Sequence, residues 1–147
     1  MLVEGVMTRA RGRLVAIGDD ASLIEAARHL GHADTDIVVI RGAGGALVGV
    51  ITKTDVVRRI AGCQGSACTT PAAAGMTRDV LGCGTGDGLH EVWERMKKRR
   101  LKNIPVVDEA SRPIGILNAR DALRALLGEV EDEEAMLRDS VMGVGYR

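Results

Sequence analysis

Gly49-Val50-Ile51-Thr52-Lys53-Thr54-Asp55-Val56-Val57-Arg58 returns as Gly115-Ile116-Leu117-Asn118-Ala119-Arg120-Asp121-Ala122-Leu123-Arg124. The offset is constant, 115 − 49 = 66 and 121 − 55 = 66. Upstream, Leu23-x-Glu25-Ala26-x-x-x-Leu30 recurs as Leu89-x-Glu91-Val92-x-x-x-Met96, and Val6-Met7-Thr8-Arg9 matches Gly75-Met76-Thr77-Arg78 at a slightly longer offset. A repeated unit that cannot bury its apolar face alone buries it against its copy. Two copies make one closed pseudo-symmetric module, not an extended array.

Each copy carries the same order of signals. A short apolar segment (Leu14 to Ile17; Val80 to Cys83) precedes a polar or Gly-rich turn. An i, i+3, i+4, i+7 stripe follows: Leu23, Ala26, Ala27 and Leu30, then Leu89, Val92, Trp93 and Met96. That is one face of a helix, with Ser22 and Asp87 as N-cap candidates. Two β-rich runs come next: Ile37 to Ile40 and Leu47 to Ile51 flank a Gly-rich hairpin turn, and Ile104 to Val107 pairs in pattern with Ile114 to Leu117. A closing helix begins near Thr52 and again near Asn118. The expected fold is α+β, two β-α-β-β-α units facing each other across a pseudo-twofold axis. Residues 1–61 form the first copy, 62–74 a small, polar linker with its Thr70-Pro71 step, and 75–128 the second copy. Residues 129–147 begin as an acidic, helix-forming tail, and Gly143 to Arg147 are expected to fray.

Composition narrows the function classes. The 147 residues suit one domain able to bury roughly 68–70% of its unfolded surface. With no Phe, one Trp and one Tyr, the core must be Val, Ile, Leu, Met and Ala. Twenty basic residues balance twenty acidic ones, so the whole chain offers no electrostatic argument for nucleic acid or an anionic membrane. No apolar run has the length of a membrane span and no signal-peptide stretch opens the chain, which predicts a cytoplasmic protein. Three cysteines, Cys63, Cys68 and Cys83, then read as reduced thiols.

Val6-Met7-Thr8, the Leu-x-Glu-Ala helix start, Ile104-Pro105-Val106-Val107-Asp108 and, above all, the Gly-apolar-apolar-Thr-x-x-Asp run at 49–55 resemble a tandem pair of cystathionine-β-synthase-type (CBS) domains, the Bateman module. The resemblance spans about residues 3 to 128. It implies a non-catalytic, regulatory module sensing AMP, ADP, ATP or another adenosyl compound such as S-adenosylmethionine, with no obligatory cofactor. It also implies two clefts between the copies, in which the Asp of Thr-x-x-Asp holds the ribose diol, its Thr contacts phosphate, and apolar strand residues sandwich adenine. Such modules commonly pair into homodimeric discs and signal to a downstream protein, here unknown.

On this chain the candidate ligand contacts are therefore Thr52 and Asp55 in the first copy, with Asn118 and Asp121 in the second. Ile17, Ile37, Val39, Ile104 and Pro105 are candidate walls, and Lys102 a candidate phosphate contact. Without the resemblance, Thr52 and Asp55 read as a capping box, and Asn118 with Asp121 fits the same pattern. The two readings are compatible. A helix N-terminus favours phosphate, and an ionised carboxylate can accept two hydroxyls. Asn118 departs from the family's Thr, so the Thr52/Asp55 cleft is expected to be the stronger.

Other features carry less. The basic run Lys97 to Lys102 reads first as a solvated helix end complementing the helix dipole, with Arg100 or Lys102 reaching a phosphate as the alternative. Without aromatic stackers it is a poor nucleic-acid surface. Gly82 to Gly88 lacks the ending of a phosphate loop and reads as a flexible turn. His29, His32, Asp34 and Asp36 match no metal spacing. No nucleophile-base-acid set is present, which disfavours an enzyme. Two further readings remain: a dimerisation scaffold whose clefts bind nothing, and, lowest, a redox or metal switch built on the cysteines.

Overall fold

The computed structural model describes residues 1–62 and 70–141 of the chain. Cys63, Cys68, most of the expected linker and the last six residues lie outside them. The first copy contains α1 (Met7–Gly12), β1 (Ala16–Gly18), α2 (Leu23–Leu30), β2 (Ile37–Arg41), β3 (Leu47–Thr52) and α3 (Lys53–Ala61). The second contains α4 (Leu89–Lys98), β4 (Asn103–Val107), β5 (Pro113–Asn118) and α5 (Ala119–Val141). β1 runs parallel to β2, and β2 and β3 form an antiparallel pair, as do β4 and β5. The architecture is the expected α+β pair of related units.

The second copy departs from the pattern at its leading strand. The segment Val80 to Cys83 contracts to one parallel bridge between Cys83 and Val106. The repeat explains why. In the first copy the Val39 N–H donates to the Val15 carbonyl at 2.8 Å. The counterpart of Val39 is Pro105 (105 − 39 = 66), which has no N–H to give Leu81. Only the bonds around Cys83 remain, its N–H to Pro105 O at 3.1 Å and the Val107 N–H to its own carbonyl at 2.8 Å.

The helical stripes point inward as expected. Leu23, Ala26 and Leu30 are buried in one core, and Leu89, Val92 and Met96 in the other. Ser22 caps α2, its Oγ accepting the Glu25 N–H at 3.2 Å. Asp87 does not cap α4. The N-cap is Gly88, and Asp87 turns back to accept the Gly84 N–H at 2.9 Å. The first hairpin turns through Gly44 and Gly45, both at positive φ (81° and 85°), a conformation that favours glycine. The second turns with Ser111 at φ 62°, held by Asp108, whose Oδ1 accepts the N–H groups of Ala110 and Arg112 at 2.9 Å each. The Arg112 N–H is the main reason the Asp108 carboxyl sits below the usual range.

The two units exchange their leading segments. Val3, Val6, Met7 and Ala10 are buried with Leu89, Val92, Met96 and Ile104, the core of the second copy. Ala72 is buried in the core of the first, with Met76 packed against it. Thr77 forms an antiparallel bridge with Val50, exchanging N–H···O bonds of 2.8 and 3.0 Å. The glycine of each copy marks where the exchanged segment crosses. A Cβ on Gly49 would lie 2.6 Å from Met76 Sδ and 2.8 Å from the Thr77 carbonyl oxygen. One on Gly115 would lie 3.0 Å from the Ala10 carbonyl carbon.

Counterpart residues meet at the centre. Val50 and Ile116 share a buried cluster with Ile37 and Val39, and Leu14 and Val80 pack against it. Both pairs are 66 apart (116 − 50 and 80 − 14), as a pseudo-twofold axis through this cluster requires. The closing helix of the second copy does not stop at Gly128. α5 continues without interruption for 23 residues. Among the described residues no helix is long and apolar enough to cross a membrane.

Candidate functional site

The site begins where β3 becomes α3. Thr52 is still extended (φ −110°, ψ 171°), and its Oγ1 accepts the Asp55 N–H at 3.3 Å. Asp55 Oδ2 accepts the Thr52 N–H at 2.9 Å in return, which completes the capping box. The Thr52 hydroxyl donates to the same oxygen at 3.1 Å. From the second copy's leading segment, Thr77 Oγ1 donates to Asp55 Oδ1 at 3.1 Å. Asp55 is only 8% exposed, yet its side-chain partners inside this network are hydroxyls. Arg58 stands 3.6 Å from Oδ1 on the outer side, its own side chain 75% exposed.

A cleft of about 280 Å³ opens beside this carboxylate, between the two copies. Its apolar walls are Ile37 and Val50 from one side, and Val80, Leu81, Leu101, Ile104 and Pro105 from the other. Arg58, Arg99 and Asp79 sit on its rim, with Arg99 Nη2 3.6 Å from Asp79 Oδ2. A wider hollow of about 510 Å³ adjoins it, sharing Ile37, Thr52, Thr54, Leu101 and Asn103 and adding Lys53, Arg100, Lys102 and Asp36. Apolar walls with a few convergent polar groups are the ordinary make-up of a small-molecule site. The donors at the start of α3 and the cations along the hollow favour an anion at the outer end.

Of the candidate residues, Thr52, Asp55, Ile37, Ile104 and Pro105 come together in this cleft, and Lys102 lines the hollow next to it. Ile17 and Val39 lie elsewhere. Ile17 is buried against Leu23 and Ala26 in the first core, and Val39 in the central cluster. Ile37 and Val39 lie on the same face of β2 and share the central cluster, but only Ile37, at the strand start, reaches the cleft. Sequence reasoning did not assign Thr77, Asp79, Leu81, Arg58, Arg99 or Leu101 to the site. Thr77 stood in the repeated Met-Thr-Arg, but nothing in the repeat said that this segment would cross to the other copy.

Asn118 and Asp121 are arranged differently. Asn118 Oδ1 accepts the N–H groups of Arg120 at 2.9 Å and Asp121 at 3.2 Å, so it caps α5. Its Nδ2 donates to Asn103 Oδ1 at 2.9 Å. Asp121 accepts from Arg13, Nε to Oδ2 at 2.6 Å and Nη2 to Oδ1 at 3.1 Å, with Arg9 Nη1 a further 3.8 Å from Oδ1. That bond raises the Arg13 pKa further.

The basic run divides. Lys97 pairs with Glu94 at 3.2 Å and lies 3.9 Å above the Trp93 ring, whereas Arg99, Arg100 and Lys102 face the cleft and hollow. The Gly84 to Gly86 turn borders a broad surface depression with Asp108, Glu109 and Arg112, in which the cation is already paired with Asp108 at 3.2 Å. Cys83 is buried, and burial pushes its thiol up to about 12.

Comparison with known proteins bears on this geometry. The family model described as CBS domain matches residues 3–62 and again 73–128. The chain is 29% identical over 124 residues to a homoserine O-acetyltransferase from Methanococcoides burtonii, an alignment covering 84% of the chain and 24% of that relative. The chain thus spans about a quarter of the length of such relatives. Among solved structures, a CBS-domain containing protein from Agrobacterium tumefaciens superposes with a TM-score of 0.71 at 29% identity, over 85% of this chain and 98% of that one. The CBS domain pair of protein MJ0100, in complex with 5′-methylthioadenosine and S-adenosyl-L-methionine, gives a TM-score of 0.71 at 26% identity, over 88% and 98%.

Proposed function

The chain belongs to the CBS-domain family as a pair of such domains, and on that premise we propose that it is a non-catalytic regulatory module that binds an adenosyl ligand in the Thr52/Asp55 cleft. The single observation that carries this reading is the Asp55 carboxylate, held by hydroxyls at the edge of an apolar-walled cleft. A ribose diol offers the same donors. It can take the place of Thr52 and Thr77 hydroxyls without leaving a buried charge unpaired. Ile37, Ile104 and Pro105 then flank the base, and Thr52 with the start of α3 faces a phosphate.

The relative MJ0100 is known with S-adenosyl-L-methionine, whose sulfonium is a cation. Here the outer end carries Arg58, Arg99, Lys53, Arg100 and Lys102 against Asp36 and Asp79. That excess of positive charge favours AMP, ADP or ATP over the sulfonium compound. Binding that prefers one arrangement of the two copies shifts their relative orientation, which a downstream protein in the cytoplasm would read.

A thermal-shift titration with AMP, ADP, ATP, S-adenosylmethionine and 5′-methylthioadenosine tests the proposal. Ligand at 100 times its dissociation constant adds about 2.7 kcal/mol, visible as a higher melting temperature. No shift with any of them at millimolar concentration rejects it. A second reading, a dimerisation scaffold, draws support from Val57 (66% exposed) and Ile60 (51%) on α3, and from Leu127 (53%) and Val130 (50%) on α5. Apolar groups left on these two helices suit a homodimer. Sedimentation equilibrium decides whether the chain pairs, and the titration decides whether the pair is also a sensor.

A further inference from the structure

We infer that Arg13 occupies the second cleft in the ligand's place, so that the chain takes one adenosyl ligand, at Asp55, and keeps a latent second site at Asp121. The inference rests on the reading of the Asp55 cleft as the ligand site and deepens it to stoichiometry. Three of that cleft's positions change character in the second copy. Ile37 becomes Asn103 and Thr52 becomes Asn118, each 66 residues apart (103 − 37, 118 − 52), and Asp79 falls on Arg13 where the copies return to that offset at the central pair Leu14 and Val80 (80 − 14 = 66).

The changes act together. Asp79 lines the first cleft, and the pseudo-twofold relation that pairs Leu14 with Val80 assigns the neighbouring Arg13 to the equivalent side of the second. From there its guanidinium donates through Nε and Nη2 to the two oxygens of Asp121, at 2.6 and 3.1 Å. A guanidinium fork presents two parallel N–H donors to a carboxylate. A ribose diol presents two O–H donors to the same two oxygens, so Arg13 satisfies Asp121 much as the ligand satisfies Asp55. The Asp121 side chain is 3% exposed, compared with 34% for Arg13, so the carboxylate is covered by its partner. Asn118 and Asn103, where the first cleft has a phosphate-facing hydroxyl and an apolar wall, are bonded to each other at 2.9 Å. In the first copy the side-chain hydrogen bonds to Asp55 come from neutral hydroxyls, with the exposed Arg58 only 3.6 Å away on the outer side, so a neutral diol can replace them without breaking a charge-assisted hydrogen bond. In the second, the diol must displace a charge-assisted, bidentate pair.

Equilibrium dialysis with radiolabelled ATP and, separately, S-adenosylmethionine tests this on the full chain and on Arg13→Ala, Asp55→Ala and the double variant. The expected stoichiometries are one per chain for the wild type, none for Asp55→Ala, two for Arg13→Ala and one for the double variant. Arg13→Gln, with circular dichroism as a check of folding, repeats the test with less loss of packing. Two equivalent sites in the wild type overturn the inference without any variant. So does a folded Arg13 variant that gains no site. Binding by Arg13→Ala alone, with none in the wild type, upholds the occupied second cleft and rejects the Asp55 reading. Binding by no form rejects both.

Discussion

The Thr77 hydroxyl lies 3.1 Å from Asp55 Oδ1 and 3.3 Å from Oδ2, so a residue of the second copy's leading segment holds the ligand-binding carboxylate proposed for the first. Anything that displaces Thr77 from Asp55 acts on both copies at once. Thr77→Val is therefore expected to lower the stability of the ligand-free protein by about 1 kcal/mol, the worth of one hydrogen bond to a buried acceptor, and to bind an adenosyl ligand more tightly than wild type, since the diol no longer has to displace this hydroxyl. Thr77→Ser should match wild type in both. Urea titration and ligand titration of the three proteins give the answer, and equal behaviour of Val and Ser would contradict the role.

Asp55→Ala should abolish ligand-induced stabilisation and also cost about 1 kcal/mol without ligand, because the capping box is lost. Asp55→Asn keeps an acceptor for the Thr52 N–H but not the charge. It is expected to remain near wild-type stability while losing the ligand shift. A normal ligand shift in Asp55→Asn would show that charge at this position is unnecessary.

Replacing Arg58 by Glu reverses the charge at the rim without touching the apolar walls. ATP affinity should fall by about tenfold, about 1.4 kcal/mol, while 5′-methylthioadenosine, which has no phosphate, should be little affected. Raised salt should narrow the gap, since Arg58 is largely exposed. Parallel losses for the two ligands would place Arg58 outside the phosphate's reach.

Gly49→Ala should destabilise by about 1–3 kcal/mol, as added atoms do in a filled interior. Its Cβ would press on the Thr77 carbonyl at 2.8 Å as well as on the flexible Met76 side chain. Gly115→Ala meets Ala10 at 3.0 Å and should cost less. Chemical denaturation orders the two, and a more damaging Gly115→Ala would contradict the packing described.

Cys83, raised to about 12 by burial, should resist alkylation in the native protein at pH 8 and react quickly once unfolded. The sign of the pH effect follows. The unfolded thiol ionises near 8.5, so its contribution to stability is complete below that pH and is lost as pH climbs towards the folded value of about 12. Peptide mass spectrometry after an iodoacetamide pulse resolves Cys83 from the other two cysteines.

Local chemistry was legible in the sequence where it was also local in the structure. The Thr52 and Asp55 capping box, the buried stripes of α2 and α4 and the Ser22 cap depend on residues within one or two turns. The second copy's leading segment is shorter than its apolar pattern predicts because Pro105, twenty-two residues after Cys83, withholds the N–H that would extend the strand. The pairing of Arg13 with Asp121 spans 108 residues and carries no local signal. The Met-Thr-Arg match puts Ala10 opposite Asp79, and only the 66-residue offset that resumes at Leu14 and Val80 puts Arg13 there, so the repeat gave no warning of the charge reversal. Thr77 reached the cleft only through the crossing of the leading segments, which periodicity does not encode.

That crossing makes each half of the chain incomplete. A fragment ending at residue 62 retains Ile51 and Leu23 but lacks Ala72 and Met76 to cover them, while Val3, Met7 and Ala10 are left without the surface they fit. A single-copy ancestor with this packing could cover its core only as a pair, each molecule lending its first residues to the other. Joining two such molecules end to end turns a concentration-dependent partnership into a permanent one. Two joined members are then free to differ, as here, where Asp55 is held by hydroxyls and Asp121 by an arginine.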